Sequence, residues 1–252
     1  MKQHSKNSIT KYLLWGMVVS IIGLLIWGVQ WATYARPPLP EAIQALESDG
    51  IVSVTTEPWL TFMPTEESPK TGLIFYPGGR VDPRGYAVLA RTIAAEGYVV
   101  VIPSMLINMA FFNPNAADDI IAQFTNIEDW AIAGHSLGGT MAIQYTKEHA
   151  GNIEGLVIWS SYPANSSDIS AFDIPVVSIY GSRELKVTDD SVGERAHLLP
   201  ADTLYISIKG GDHHQFGSYE INPKNHLATT SRASQQKQIV EATLAVMLEV
   251  EQ

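Results

Sequence analysis

The chain has 252 residues, no cysteine and a formal net charge of −10. The absence of cysteine excludes disulfides, thiolate metal sites, a cysteine nucleophile and a lipidated-cysteine anchor. An acidic balance with no basic run outside the extreme N-terminus argues against a nucleic-acid-binding surface. The first element is the uncharged stretch 13–32, rich in Leu, Ile, Val, Trp and Gly. About 20 such residues cross a bilayer as a helix. Trp15 stands near one end and Trp27, Trp31 and Tyr34 near the other, where interfacial aromatics sit. Lys2, Lys6 and Lys11 precede the stretch and Arg36 follows it. The positive-inside rule then places the N-terminus in the cytoplasm and the remaining chain outside the cell membrane. The alternative is a signal peptide cleaved after Ala35, with a secreted product.

Residues 35–48 open with Arg36-Pro37-Pro38-Leu39-Pro40 and read as a stalk. Beyond it, β-rich runs alternate with helical stretches. Strands are expected over 51–56, 60–63, 72–76, 98–102, 130–133, 156–159, 176–180 and 203–208. Helices are expected over 86–96, 116–123, 140–149 and 234–248. The apolar strands lack polar alternation, which predicts burial on both faces. That pattern makes an α/β fold with a mostly parallel central sheet and helices on both sides. The expected organisation is an N-terminal tip and transmembrane anchor (1–34), a stalk (35–48) and one α/β domain (49–252).

Gly134-His135-Ser136-Leu137-Gly138 carries the chemistry. A G-x-S-x-G pentad between a strand and a helix is a nucleophile elbow: small neighbours admit the sharp turn that exposes the serine oxygen. Ser136 is the expected nucleophile, and the Leu137 N–H points at a developing oxyanion. A second donor is expected from the loop after strand 72–76, at Gly79, with Arg80 as the alternative. Chain order requires an acid and then a histidine. His213 follows the last strand and the Gly210-Gly211 pair, and is preferred over its neighbour His214. Glu184 follows strand 176–180 and is the expected acid, with Asp189, Asp190 and Asp168 as alternatives. The apolar loop 105–112 suits an acyl pocket, membrane contact or core packing. The design calls for no metal and no cofactor.

These residues resemble the bacterial α/β-hydrolases grouped as "alpha/beta hydrolase fold-5". The matching segments are FYPGGRVDPRGYAVLA, YVVVIPSML, WAIAGHSLGG, GLVIWSSYPA, VVSIYGSRE and GGDHHQFGSY. GGDHHQFG is similar to a GGNHAQFG motif, which makes His213 the base. YGSRE is similar to a segment that more often ends in Asp, so Glu184 is a departure. The resemblance implies the α/β-hydrolase fold and hydrolysis of an ester or related acyl bond of a small molecule. A catalytically silent surface binder of the same fold is the alternative.

Overall fold

In a computed structural model, which describes residues 3–66 and 68–252, the apolar runs form one eight-stranded sheet. The strands are β1 (Val52–Thr55), β2 (Leu60–Pro64), β3 (Thr71–Tyr76), β4 (Val99–Ile102), β5 (Asp129–His135), β6 (Gly155–Trp159), β7 (Val176–Gly181) and β8 (Leu204–Ile208). Their order is β1-β2-β4-β3-β5-β6-β7-β8. Only the pairs β1–β2 and β2–β4 are antiparallel. Every pair from β4 through β3 to β8 is parallel. The sheet is therefore mostly parallel, as its uninterrupted apolar strands demand.

Successive strand residues point to opposite faces, and this splits the core in two. Leu73, Phe75, Ala131, Ala133, Val157 and Trp159 join one cluster with α3 (Ala87–Ala94) and α7 (Arg232–Val250). Ile74, Tyr76, Ile132, Leu156 and Ile158 join the other with α4 (Ala116–Gln123) and α5 (Leu137–Glu148). Both faces are thus covered, and only the strand ends remain for a site. The C-terminal ends of β3, β5, β6, β7 and β8 lie along one edge, where parallel sheets bind ligands.

The chain divides after Tyr34 into two units. The first is α1 (Gln3–Thr33). Its segment Lys11–Trp31 is 21 residues long and apolar enough to cross a membrane, and no part of it is buried within the protein. This suits a membrane span or a signal sequence. Lys2 lies outside the described residues.

The segment read as a stalk is part of the second unit, which begins at Ala35. The Arg36 N–H donates to Arg80 O at 2.8 Å, and the Leu39 N–H to Ser218 O at 2.9 Å. A short helix, α2 (Pro40–Gln44), buries Ala42 completely. Ala45 and Leu46 pack on the core. The prolines set extended backbone, but the apolar residues among them gain more from burial than from solvent. A further short helix, α6 (Asp189–Gly193), follows β7.

Candidate active site

The site is built on two serines in left-handed backbone. Ser136, between β5 and α5, has φ 54° and ψ −120°. Such a conformation costs about 1–3 kcal/mol and persists where the surroundings enforce it. Here a Cβ on Gly134 would lie 2.4 Å from the Gly138 backbone, and one on Gly138 would lie 2.1 Å from Tyr76 O. The turn closes because both positions are glycine. The Ser136 N–H donates to Trp159 O at 3.0 Å, and Ser136 O accepts from Ser161 Oγ at 2.7 Å. Ser160, which follows β6, has φ 47°, and its N–H donates to Ile179 O at 2.7 Å. Ser160 is fully buried.

Glu184 turns back beneath the end of β7. Its Oε1 accepts from the Gly181 N–H at 2.7 Å, and its Oε2 lies 3.0 Å from His213 Nδ1. Ser160 Oγ lies 2.5 Å from each of Glu184 Oε2 and His213 Nδ1. One proton arrangement satisfies all three groups. Ser160 O–H donates to the carboxylate, and Nδ1–H is shared between Ser160 Oγ and Oε2. His213 Nε2 then carries a lone pair, and it has no partner among the described residues. Ser136 Oγ likewise has no hydrogen bond among them. Ser136, His213, Glu184 and Ser160 line one cavity of about 590 Å³, together with Leu137 and Gly79.

The loop after β3 separates the two donor candidates named for it. The Arg80 N–H is spent on Asn108 O at 2.7 Å, and the Gly78 N–H on Tyr86 Oη at 3.0 Å. The Gly79 N–H has no acceptor among the described residues, nor has the Leu137 N–H. The two positions adjoin, since a Cβ on Gly79 would lie 3.3 Å from Leu137 Cδ2.

His214 does not reach the carboxylate. Burial and the neighbouring His213 hold its pKa down to about 4, and its Nδ1 is buried without a hydrogen-bond partner among the described residues. Asp189 and Asp190 line a separate, smaller cavity. Asp168 caps the Ser170 N–H at 2.9 Å. Asp212 holds the histidine loop: its carboxylate accepts from the backbone N–H groups of His214, Gln215, Leu227 and Ala228 and pairs with His226. Burial pushes its pKa up, but these hydrogen bonds outweigh burial and leave it lowered.

Three participants escaped the sequence reading. Ser160 stood in plain view after a predicted strand, where side chains project from the sheet edge. His135 is buried with its Nδ1 2.8 Å from Tyr86 Oη and its Nε2 3.1 Å from His213 O. Burial holds its pKa well below the usual histidine range, so it is neutral. Tyr86 O–H therefore donates to Nδ1, and Nε2–H donates to the His213 carbonyl. Nothing local marks this chain of bonds, because it joins three distant segments. The apolar loop is divided: Met105 and Ala110 are buried, while Leu106, Phe111 and Phe112 are exposed.

Residues 72–237 match the alpha/beta hydrolase family. The chain belongs to that family. Among solved structures, this hydrolase is similar to the esterase domain of a Rhodothermus marinus protein. That match has 12% identity and a TM-score of 0.56, over 74% of this chain and 90% of the other. It is also similar to Est1E from Butyrivibrio proteoclasticus, solved with ferulic acid bound. There the identity is 13% and the TM-score 0.57, over 81% and 98% of the two chains. A predicted CIB-like hydrolase from Thermoplasma acidophilum matches at 13% identity and a TM-score of 0.53, over 75% and 95%. At such identities the likeness is one of fold. No curated protein matches the hydrolase.

Proposed function

We propose that this hydrolase is a serine esterase acting through Ser136, His213 and Glu184. The observation that carries the reading is the 3.0 Å contact of Glu184 Oε2 with His213 Nδ1, on a cavity that also holds the strained Ser136. Ser136 Oγ attacks the ester carbonyl carbon, and His213 Nε2 takes its proton. The oxyanion forms against the N–H groups of Leu137 and Gly79. Glu184 stabilises the imidazolium, which then protonates the departing alkoxide. Water, deprotonated by His213, frees the acyl group from Ser136.

A fluorophosphonate probe tests this on the full chain in detergent. It should label Ser136 once, and Ser136→Ala should abolish labelling without loss of fold. Turnover should fall by orders of magnitude in Ser136→Ala, His213→Ala and Glu184→Gln. His214→Ala should do much less. Labelling elsewhere, or full turnover in Ser136→Ala, would overturn the mechanism. A folded wild-type chain that takes no label would favour a silent binder.

The basic residues before the apolar helix support an N-terminus in the cytoplasm and a catalytic domain outside, and an apolar run longer than a usual signal core supports a retained anchor. A reporter fused after residue 40 reads the side of the membrane directly.

A further inference from the structure

Only 16 residues of this chain are Lys or Arg, against 26 Asp and Glu. Four of the sixteen, Arg36, Arg183, Lys186 and Lys224, line the single cavity that holds Ser136. None of the four is in an ion pair among the described residues. The cavity has two acids, Glu184 and Asp212, and both are buried and already engaged. Glu184 serves His213, Ser160 and the Gly181 N–H. Asp212 serves His226 and four backbone N–H groups. The cavity wall is therefore cationic in a protein whose net charge is −10.

Arg36 is the best fixed of the four. Its N–H donates to Arg80 O, and its carbonyl accepts from the Asp82 N–H at 3.1 Å. These bonds form a parallel bridge to Val81, so the backbone of Arg36 is tied to the loop that carries Gly79. The guanidinium sits over the Tyr219 ring, 5.9 Å from its centroid. The nearest acid on that loop, Asp82, is paired with Arg84 instead. Arg183 approaches from the other side, immediately before Glu184, and its N–H donates to Gly211 O at 2.9 Å. A guanidinium presents a rigid fork that fits carboxylate or phosphate oxygens.

We infer that the molecule entering the Ser136 cavity carries an anionic group, a carboxylate or phosphate, received by Arg36 with Arg183, Lys186 and Lys224 around it. The inference rests on the esterase reading of that cavity for the fate of the molecule, not for its binding. Without an anion, four like charges around one cavity repel one another. An anion offsets part of that charge and orients the ester over Ser136.

Binding is measured first on full-length Ser136→Ala in a nonionic detergent, by calorimetry. The probes are two matched pairs: 4-acetoxybenzoate with 4-acetoxybenzamide, and monomethyl adipate with its terminal amide. The carboxylate of each pair should bind at least about tenfold tighter, and the preference should shrink in high salt. Arg36→Gln in that background should remove most of it. Lys237→Gln, an equal charge change at an exposed α7 residue that pairs with Glu241 and does not line the cavity, should leave it intact. Should Arg36→Gln melt early, Arg183→Gln and Lys224→Gln supply the same comparison. In the active chain the preference should emerge in KM more than in kcat. Release of fatty acid from phosphatidylglycerol vesicles over phosphatidylcholine ones would place the anion in a lipid head group. Preference for the soluble carboxylates alone would place it in a free ester. Equal affinity within both pairs, or a preference untouched by all three variants, overturns the inference. If fluorophosphonate still labels Ser136 in that case, the esterase reading stands. A retained preference without labelling supports the anion site and removes the esterase.

Discussion

At the scale of single residues, Ser160 does what neither its strand nor its packing requires. Its left-handed backbone turns the hydroxyl into the gap between Glu184 and His213, 2.5 Å from each. A serine there holds the carboxylate by donation and the imidazole by acceptance, so it orients both. We expect Ser160→Ala to lower kcat about tenfold with little change in KM, the size of a lost charge-assisted hydrogen bond. Because the bond touches His213, the proposed base, the acidic limb of the kcat/KM pH profile should shift as well. A shifted melting temperature with an unmoved kcat and pH profile would reduce Ser160 to a packing residue. Its neighbour Ser161 has another task, tying the elbow through Ser136 O.

At the scale of elements, a chain of hydrogen bonds joins the loop after β3, the elbow after β5 and the loop after β8. It runs from the Gly78 N–H to Tyr86, His135 and the His213 carbonyl. The chain requires a neutral His135, and burial supplies it. His214, on the same loop as His213, is held to about 4 by burial first and then by its neighbour His213. Both histidines stay neutral in the folded protein at pH values where the unfolded chain, near 6.5, takes up protons. Their stabilisation is complete above about pH 6.5 and is lost as pH falls below it. The slope reaches about 1.4 kcal/mol per pH unit for fully buried His135 and is smaller for half-buried His214. Thermal melts of the full chain in detergent should therefore show a midpoint falling steadily from pH 7 to pH 5. His214→Phe, which also removes an unpartnered buried nitrogen, should flatten part of that slope. A midpoint constant over the range would contradict the account.

At the scale of the whole molecule, the chain combines an α/β-hydrolase unit with a helix whose segment Lys11–Trp31 is able to span a bilayer. A periplasmic-type reporter fused after residue 40 should be active only outside the cytoplasm, because Lys6 and Lys11 favour the inner side. Activity inside would reverse the orientation, and a mature N-terminus near Arg36 would show a cleaved signal. The fold itself also sets the position of Arg36. The prolines that read as a spacer instead run along the domain, and this brings a cation into the cavity.

The sequence by itself determined the features whose causes are local. Uninterrupted apolar runs set the parallel strands, since residues buried on both faces leave no polar alternation. The Gly134–Gly138 pentad between a strand and a helix set the elbow, since only glycine fits where a Cβ would meet backbone at 2.1–2.4 Å. The tertiary structure alone decided what depends on distance between segments. It put Glu184, rather than Asp189 or Asp190, on the imidazole of His213 rather than His214. It spent the Arg80 N–H on Asn108 and left that of Gly79 open. It folded residues 35–46 onto the domain, because burying Ala42 and packing the partly buried Leu46 on the core outweighs the solvation of an extended linker. Hydrogen bonds such as that from Tyr86 to His135, 49 residues apart, leave no periodicity in the chain, and only the packed fold brings their ends together.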